Sequence, residues 1–201
     1  MATEGETKNK ILRKTFELLL QKGYDGVSIS DIQHSAGISR GLLYHHFNNK
    51  EDLFIEVIKH YFVDMFSIDK SKSVSLTIPA MIAFMEQKNM EICDLCAIAD
   101  GTKFSFFNYD FLFYEAMSRN PEFAAKYRKV RDDELNIWEN VVRNSIESGL
   151  IRKDLDVKAT AKIFMYNIDG GWFNESVYKD AAEVVKNITH ILEQYYNQIK
   201  I

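Results

Sequence analysis

Residues 28–53 read Ser-Ile-Ser-Asp-Ile-Gln-His-Ser-Ala-Gly-Ile-Ser-Arg-Gly-Leu-Leu-Tyr-His-His-Phe-Asn-Asn-Lys-Glu-Asp-Leu. The order predicts two short helices joined by a tight turn at Gly37, then a third, capped helix. Gly37 closes the first, because glycine takes the left-handed C′ conformation at little cost. Ile38 is placed to tuck into the angle between the two helices. Ser39 is a good N-cap for the second. That second helix opens with Arg40 and Gly41, turning Leu42 or Leu43 and Phe47 inward and Arg40, Tyr44 and His45 outward. Asn49 caps the third, with Glu51 and Asp52 in its first turn, where acids suit the helix dipole. Helix, turn, and a second helix with a polar leading end is the plan of a helix-turn-helix DNA reader.

Residues 7–60 resemble the DNA-binding domain of the TetR family of bacterial transcriptional repressors. The matching residues are Gly23, Val27-Ser28, Asp31-Ile32, Ala36-Gly37-Ile38-Ser39, Gly41, Leu43-Tyr44, His46-Phe47, Asn49-Lys50-Glu51 and Leu53. They agree at fixed spacing without a gap. Beyond residue 60 the chain matches the family only in size and in helical pattern.

Composition is consistent with a folded domain or two: 201 residues, 46% hydrophobic and 27% charged. Two prolines suit long helices. No apolar run reads as a signal peptide or reaches the length of a membrane span, so no membrane partner and a cytoplasmic location are expected. Two cysteines fit a reducing compartment. The net charge of −4 is not spread evenly. Residues 1–60 balance eight basic against eight acidic side chains, and residues 32–50 hold no acid while carrying Arg40, Lys50, His34, His45 and His46. Binding is therefore expected to lean on specific docking, with a modest nonspecific electrostatic part.

The rest of the chain reads as helix throughout. Ile11, Leu12, Phe16, Leu19 and Leu20 recur at helical spacing up to Gly23. A helix from residue 50 carries apolar residues to about 68, and the polar stretch 69–73 is the boundary candidate. Thr77 precedes a helix with Pro79 in its first turn. Asn120-Pro121 starts a long helix stopped at Gly149. Asp154 or Asp156 caps another to about Val177, and Asp180 starts the last. The expected fold is all-α: a helix-turn-helix domain over residues 1–50, a connecting helix over 51–68, and a larger helical domain over 69–201.

Arg40 is the leading candidate for base readout, since a guanidinium reaches guanine O6 and N7 together. Gly41 would let the backbone approach DNA closely. Tyr44 and Lys50 are candidates for phosphate through a hydroxyl and an ammonium, a role the resemblance also implies. It further places His45 toward bases and His46 toward phosphate or packing. Ser28, Ser30 and Ser39 lie at helix starts and cap, touch phosphate, or both. His45 and His46 point about 100° apart on a helix and have no third ligand at suitable spacing, so no metal is expected. Cys93 and Cys96 lack the surroundings of a redox or zinc site. No cofactor is expected, and no nucleophile–base motif or phosphate loop suggests an enzyme.

Residues 104–117 hold seven aromatics, too many for one narrow helix face. The family's middle helices enclose an effector cavity, so the resemblance implies some cavity lining here. The candidates are Phe104, Phe107, Phe111, Tyr114 and Met117, with Phe84, Met85, Tyr127 and Trp138 from neighbouring helices. The absence of Arg and Lys between Phe104 and Ser118 favours an apolar or cationic small molecule. Gly170-Gly171 inside an apolar segment marks either a close helix approach or a kink. The resemblance implies that the last two helices pair with those of a second copy. The expected homodimer contacts are Phe164, Gly170, Gly171, Trp172, Val185, Ile188, Leu192 and Tyr195. The reading is a homodimeric regulator that binds a palindromic double-stranded DNA operator and is released by a small, largely apolar effector. The rival is a helical ligand-binding sensor or enzyme without sequence-specific DNA binding.

Overall fold

A computed structural model describes residues 3–64, 68, 74–97, 106–175, 177 and 180–201, without the side chains of 64, 92, 94–97 and 106–107. Among the described residues there are nine α-helices: α1 Glu4–Lys22, α2 Ile29–Ala36, α3 Arg40–His46, α4 Lys50–Ile58, α5 Ile78–Ala97, α6 Phe106–Arg119, α7 Pro121–Glu147, α8 Val157–Glu175 and α9 Ala181–Ile199. A π-helical segment, Lys59–Asp64, continues α4. No strand occurs among them beyond a single antiparallel bridge between Ile151 and Lys200. The chain divides into two units: residues 1–66 with 108–127, and 67–107 with 128–201. The sequence at 69–73, expected as a boundary, lies outside the described residues.

In the first unit each helix start is tied by its own side chains. Thr3 and Glu6 form a reciprocal capping box on α1, and Ser28 and Asp31 another on α2. Ser39 Oγ accepts from the Leu42 amide at 3.2 Å, and Asn49 Oδ1 from Asp52 at 2.8 Å. Gly37, at φ 62°, turns the chain between α2 and α3. An L side chain there would cost roughly 1–2 kcal/mol. Ile11, Leu12, Phe16, Ile32, Leu43, Phe47, Leu53 and Phe54 are buried beneath these helices. The α-helix expected to run to residue 68 ends instead at Ile58, where the wider π turn begins. That turn buries two consecutive aromatics: Tyr61 stacks on Phe16, and Phe62 on Tyr109, both at 4.1 Å between centroids. A π turn breaks the α hydrogen-bond register, and the Tyr109 hydroxyl donates to the Tyr61 carbonyl at 2.7 Å. Burial pushes the Tyr61 phenol up to about 12.

The second unit is built around α5, most of α7, α8 and α9. Trp138 and Phe164 stack almost parallel, 5.2 Å apart and fully buried. Met81, Ile82, Met85, Val141, Val142, Ile168, Val184, Ile188 and Leu192 complete the core. Each such side chain contributes about 1.5–3 kcal/mol on burial. Buried Ser145 accepts the first amide of α5, from Ile78, at 2.8 Å and donates to Val141 O. Asp156 and Asp180 cap α8 and α9. The expected helix from Asp156 ends at Glu175. Between α7 and α8 the chain turns at Gly149, φ 68°, and backbone bonds from Arg152 to Ile199 and from Ile201 to Leu150 close the end of α9 on that turn.

Candidate DNA-binding face

The caps on α2 and α3 set which side chains of this segment face outward. Leu43 and Phe47 go into the core, which turns Arg40, Gly41, Tyr44 and His45 to solvent. Leu42 is 38% exposed and Tyr44 40%. The Arg40 guanidinium lies 5.6 Å from the Tyr44 ring centroid, a cation–π pair one helical turn apart. It therefore sits at the leading end of α3 against a flat aromatic support. Between α2 and α3 lies an open concavity of about 460 Å³ lined by Ser30, Gln33, His34, Gly37, Ile38, Ser39 and Arg40. Ser30 thus joins Ser39 and Arg40 on one surface.

The two other serines differ in how far they are committed. Ser28 Oγ is bonded to Asp31 both ways: it donates to the carboxylate at 2.6 Å and accepts the Asp31 amide at 3.1 Å. These bonds hold the Asp31 carboxyl below its usual range. Ser39 makes one cap bond and remains exposed. His45 Nε2 lies 3.7 Å from Glu4 Oε1 on α1, and its ring meets His46 edge-on at 5.3 Å. Among the described residues no group of three metal-ligating side chains occurs.

Lys50 opens α4 and is half-buried. Its ammonium donates to the Tyr24 carbonyl at 2.6 Å and sits 4.1 Å from the Tyr24 ring centroid. Tyr24 also donates its hydroxyl to Glu51 at 2.6 Å, and its phenol is pushed up to about 12 by burial and by that carboxylate. Sequence reasoning missed Tyr24. It also passed over Gln33 as a surface candidate. Gln33's one signal was its place in the acid-free stretch before Gly37.

The expected effector residues are divided between the two units. Phe84 is half-buried, and Met85 and Trp138 are buried, in the second unit. Trp138 is 0% exposed, and its indole N–H has no hydrogen-bond partner among the described residues. Met117 and Tyr127 are half-buried in the first unit, while Phe111 and Tyr114 are each 58% exposed. Phe104 lies outside the described residues, as does the side chain of Phe107. The aromatic centre on α6 is Phe113, packed on Phe62, Phe123 and Tyr127.

The expected dimer residues stand in different settings within the chain. Phe164, Val185, Ile188 and Leu192 are buried in the chain's own core at 2% exposure or less, so they present no surface to a second copy. Gly171 faces the same way: a Cβ there would lie 2.5 Å from Ile188 Cγ1. Gly170 is different, with only Asn174 Nδ2 near, at 4.0 Å. It falls on an outward stripe of α8 with Ile163, Tyr166 and Phe173, which are 39%, 57% and 63% exposed. Trp172 and Tyr195 are half-buried. Helical periodicity identified apolar helices, but not which of their faces is consumed within the chain.

These features define a helix-turn-helix nucleic-acid-binding domain joined to a helical second unit. Residues 11–57 match the family model for bacterial regulatory proteins of the tetR family. The biofilm operon icaADBC negative transcriptional regulator IcaR of Staphylococcus epidermidis is 38% identical over 60 residues, covering 28% of this chain and 32% of that protein's length. The transcriptional repressor AcnR of Corynebacterium jeikeium is 25% identical over 82% of this chain and 79% of its own. Among solved structures, a transcriptional regulator of Saccharomonospora viridis in complex with choline superimposes with a TM-score of 0.72 at 18% identity, covering 98% of this chain and 99% of that one. A TetR-family regulator of Agrobacterium tumefaciens gives 0.67 at 20% identity, over 99% and 100%. Over residues 11–57 the chain therefore carries a tetR-family DNA-binding domain, and across most of its length it is similar to transcriptional repressors such as AcnR. Among the described residues no helix is long and apolar enough to cross a membrane.

Proposed function

We propose that this protein is a cytoplasmic repressor that binds a palindromic operator as a homodimer and is released by a small effector. The observation that carries the reading is the leading end of α3. Arg40, supported by Tyr44, projects from a helix whose start is fixed by Ser39 and whose inner face is fixed by Leu43 and Phe47. In the major groove Arg40 reads a base, most naturally guanine, while Tyr44, His46 and Lys50 hold phosphates and Ser28, Ser30, Ser39, Gly41 and His45 lie at the contact. The repressor names of relatives such as AcnR support repression over activation. A gel shift with the DNA upstream of its own coding region tests this. A specific, salt-sensitive shift is expected, and binding indifferent to sequence would refute operator recognition.

The second copy is expected to pack on the α8 stripe of Ile163, Tyr166, Gly170 and Phe173. Exposed aromatic and aliphatic side chains flanking an open glycine support a close helix–helix contact there. The effector is placed in the second unit, near Phe84, Met85 and Trp138. An apolar or cationic molecule carrying one acceptor for the Trp138 N–H suits this setting, since an unmatched buried donor costs about 1–3 kcal/mol. The choline complex of the Saccharomonospora viridis regulator supports a small organic ligand of that kind. Release then follows as a population shift toward a dimer whose recognition helices no longer match the half-site spacing. A thermal-shift screen of lipophilic and cationic compounds checks this: hits raise the melting temperature of the parent and fail to do so for Trp138→Phe.

A further inference from the structure

Tyr24 sits in the turn after α1 and is engaged through its ring, its amide, its carbonyl and its hydroxyl. Two cations share its ring: Lys50 Nζ at 4.1 Å and the Arg119 guanidinium at 4.5 Å from the centroid. The ring is also packed on Phe54 at 4.6 Å. Its carbonyl accepts from Lys50, and its hydroxyl donates to Glu51. Its amide donates to Glu115 Oε2 at 3.2 Å. Glu115 Oε1 in turn accepts from Arg119 Nε at 3.2 Å, and Arg119 pairs with Asp25. The α6 residues therefore grip the turn by its backbone, by its ring and by its neighbour Asp25, about 90 residues away in sequence.

We propose that Tyr24 is a positioning residue for the phosphate-binding ammonium of Lys50, and that Glu115 and Arg119 of α6 hold Tyr24 in place for that task. A free lysine samples many rotamers, and fixing it on a phosphate costs conformational entropy. Here one N–H is taken by the Tyr24 carbonyl and one side of the charge by the ring. The side chain is thus ordered before DNA arrives, with donors left over for a phosphate. Arg119 matters because it meets the same ring while its other bonds fix where the turn lies. The inference rests on the reading of Lys50 as a phosphate contact.

The test uses the full chain and a fluorescent duplex of random sequence, because a phosphate contact is independent of base order. Affinity is measured against KCl concentration. Lys50→Ala is expected to flatten the salt slope by about one per subunit. Tyr24→Leu and Arg119→Gln are expected to weaken binding roughly 2- to 10-fold per subunit, the cost of ordering one long side chain. Tyr24→Phe, which keeps ring and carbonyl, is expected to restore most of what Tyr24→Leu loses. Tyr24→Leu combined with Lys50→Ala should bind no more weakly than Lys50→Ala alone. If Lys50→Ala left the slope unchanged, the phosphate role of Lys50 would fall, and this inference with it. If Lys50→Ala flattened the slope but Arg119→Gln bound as the parent, the inference alone would fall. It would fall equally if the Tyr24→Leu loss added in full to that of Lys50→Ala. Should Tyr24→Leu fail to fold, Arg119→Gln with and without Lys50→Ala decides.

Discussion

The two units of this chain are specified by different means. In the first, the path is set by local side-chain caps: Thr3, Ser28, Ser39 and Asn49 each tie a helix start within four residues of themselves. In the second, the path is set by a core whose members come from α5, α7, α8 and α9, more than a hundred residues apart at the extremes. A locally specified region displays its outward residues predictably, so its chemistry can be read in order along the chain. A region specified by distant packing hides which face is inside until the helices are assembled.

Breaking the outward face of the first unit should produce the largest effect. Arg40→Ala is expected to lose roughly 1–3 kcal/mol per half-site and to relax preference at one base pair, without changing the melting temperature. Equal affinity of parent and variant for operator and scrambled DNA would show that Arg40 reads nothing. The adjacent glycines of α8 sharpen the contrast within the second unit. Gly171→Leu must displace Ile188 and is expected to cost about 1–3 kcal/mol in urea unfolding. Gly170→Leu meets only the Asn174 amide at 4.0 Å, so it should leave the chain folded while disturbing the proposed dimer, a change that light scattering would detect. If the two variants were equally destabilised, the division of labour between these glycines would be wrong.

A smaller effect compares caps across the two units. Ser28→Ala and Asp180→Ala are each expected to cost about 1 kcal/mol of stability. Only Ser28→Ala should also weaken DNA binding, and equal DNA affinity in both would undo the comparison. The smallest effect concerns Glu134, which with Arg131, Asp169 and Lys88 forms a charged group on the second unit. Burial raises the Glu134 carboxyl despite Arg131 at 2.7 Å. The folded state therefore keeps a proton to higher pH than the unfolded chain. Stability should rise as pH falls through the raised value toward the ordinary glutamate value of about 4.3. Glu134→Gln should flatten that part of the pH–stability curve; an unchanged curve would mean the group does not titrate there.

The first unit was largely legible because capping residues and glycines act on their immediate neighbours. The bounds of α2 and α3, the turn at Gly37 and the inward Leu43 and Phe47 followed from that chemistry. Tyr24 was not legible, since its partners Glu115 and Arg119 come from a helix far along the chain. Nor was the fate of the two apolar helices at the end. Phe164 and Ile163 are neighbours of similar character, yet one is buried and the other 39% exposed. Only the position of the surrounding helices separates them. Nor did the aromatic run before Met117 reveal that Phe113 packs on Phe62 and Tyr127 while Phe111 and Tyr114 stay exposed.

The π-helical segment at Lys59–Asp64 has a consequence for how length variation is read in this protein. A π turn behaves as an α-helix that has absorbed one additional residue. Everything downstream is rotated by about 100° relative to an uninterrupted helix. A relative with an ordinary helix here would align with this chain only through a one-residue gap inside a helix, where gaps are normally penalised. Removing a single residue from 59–64 should therefore be better tolerated than a deletion within α7. The same removal would pull Tyr61 and Phe62 off their two stacking partners, turning a small change in length into a rearrangement of the aromatic packing beneath α1.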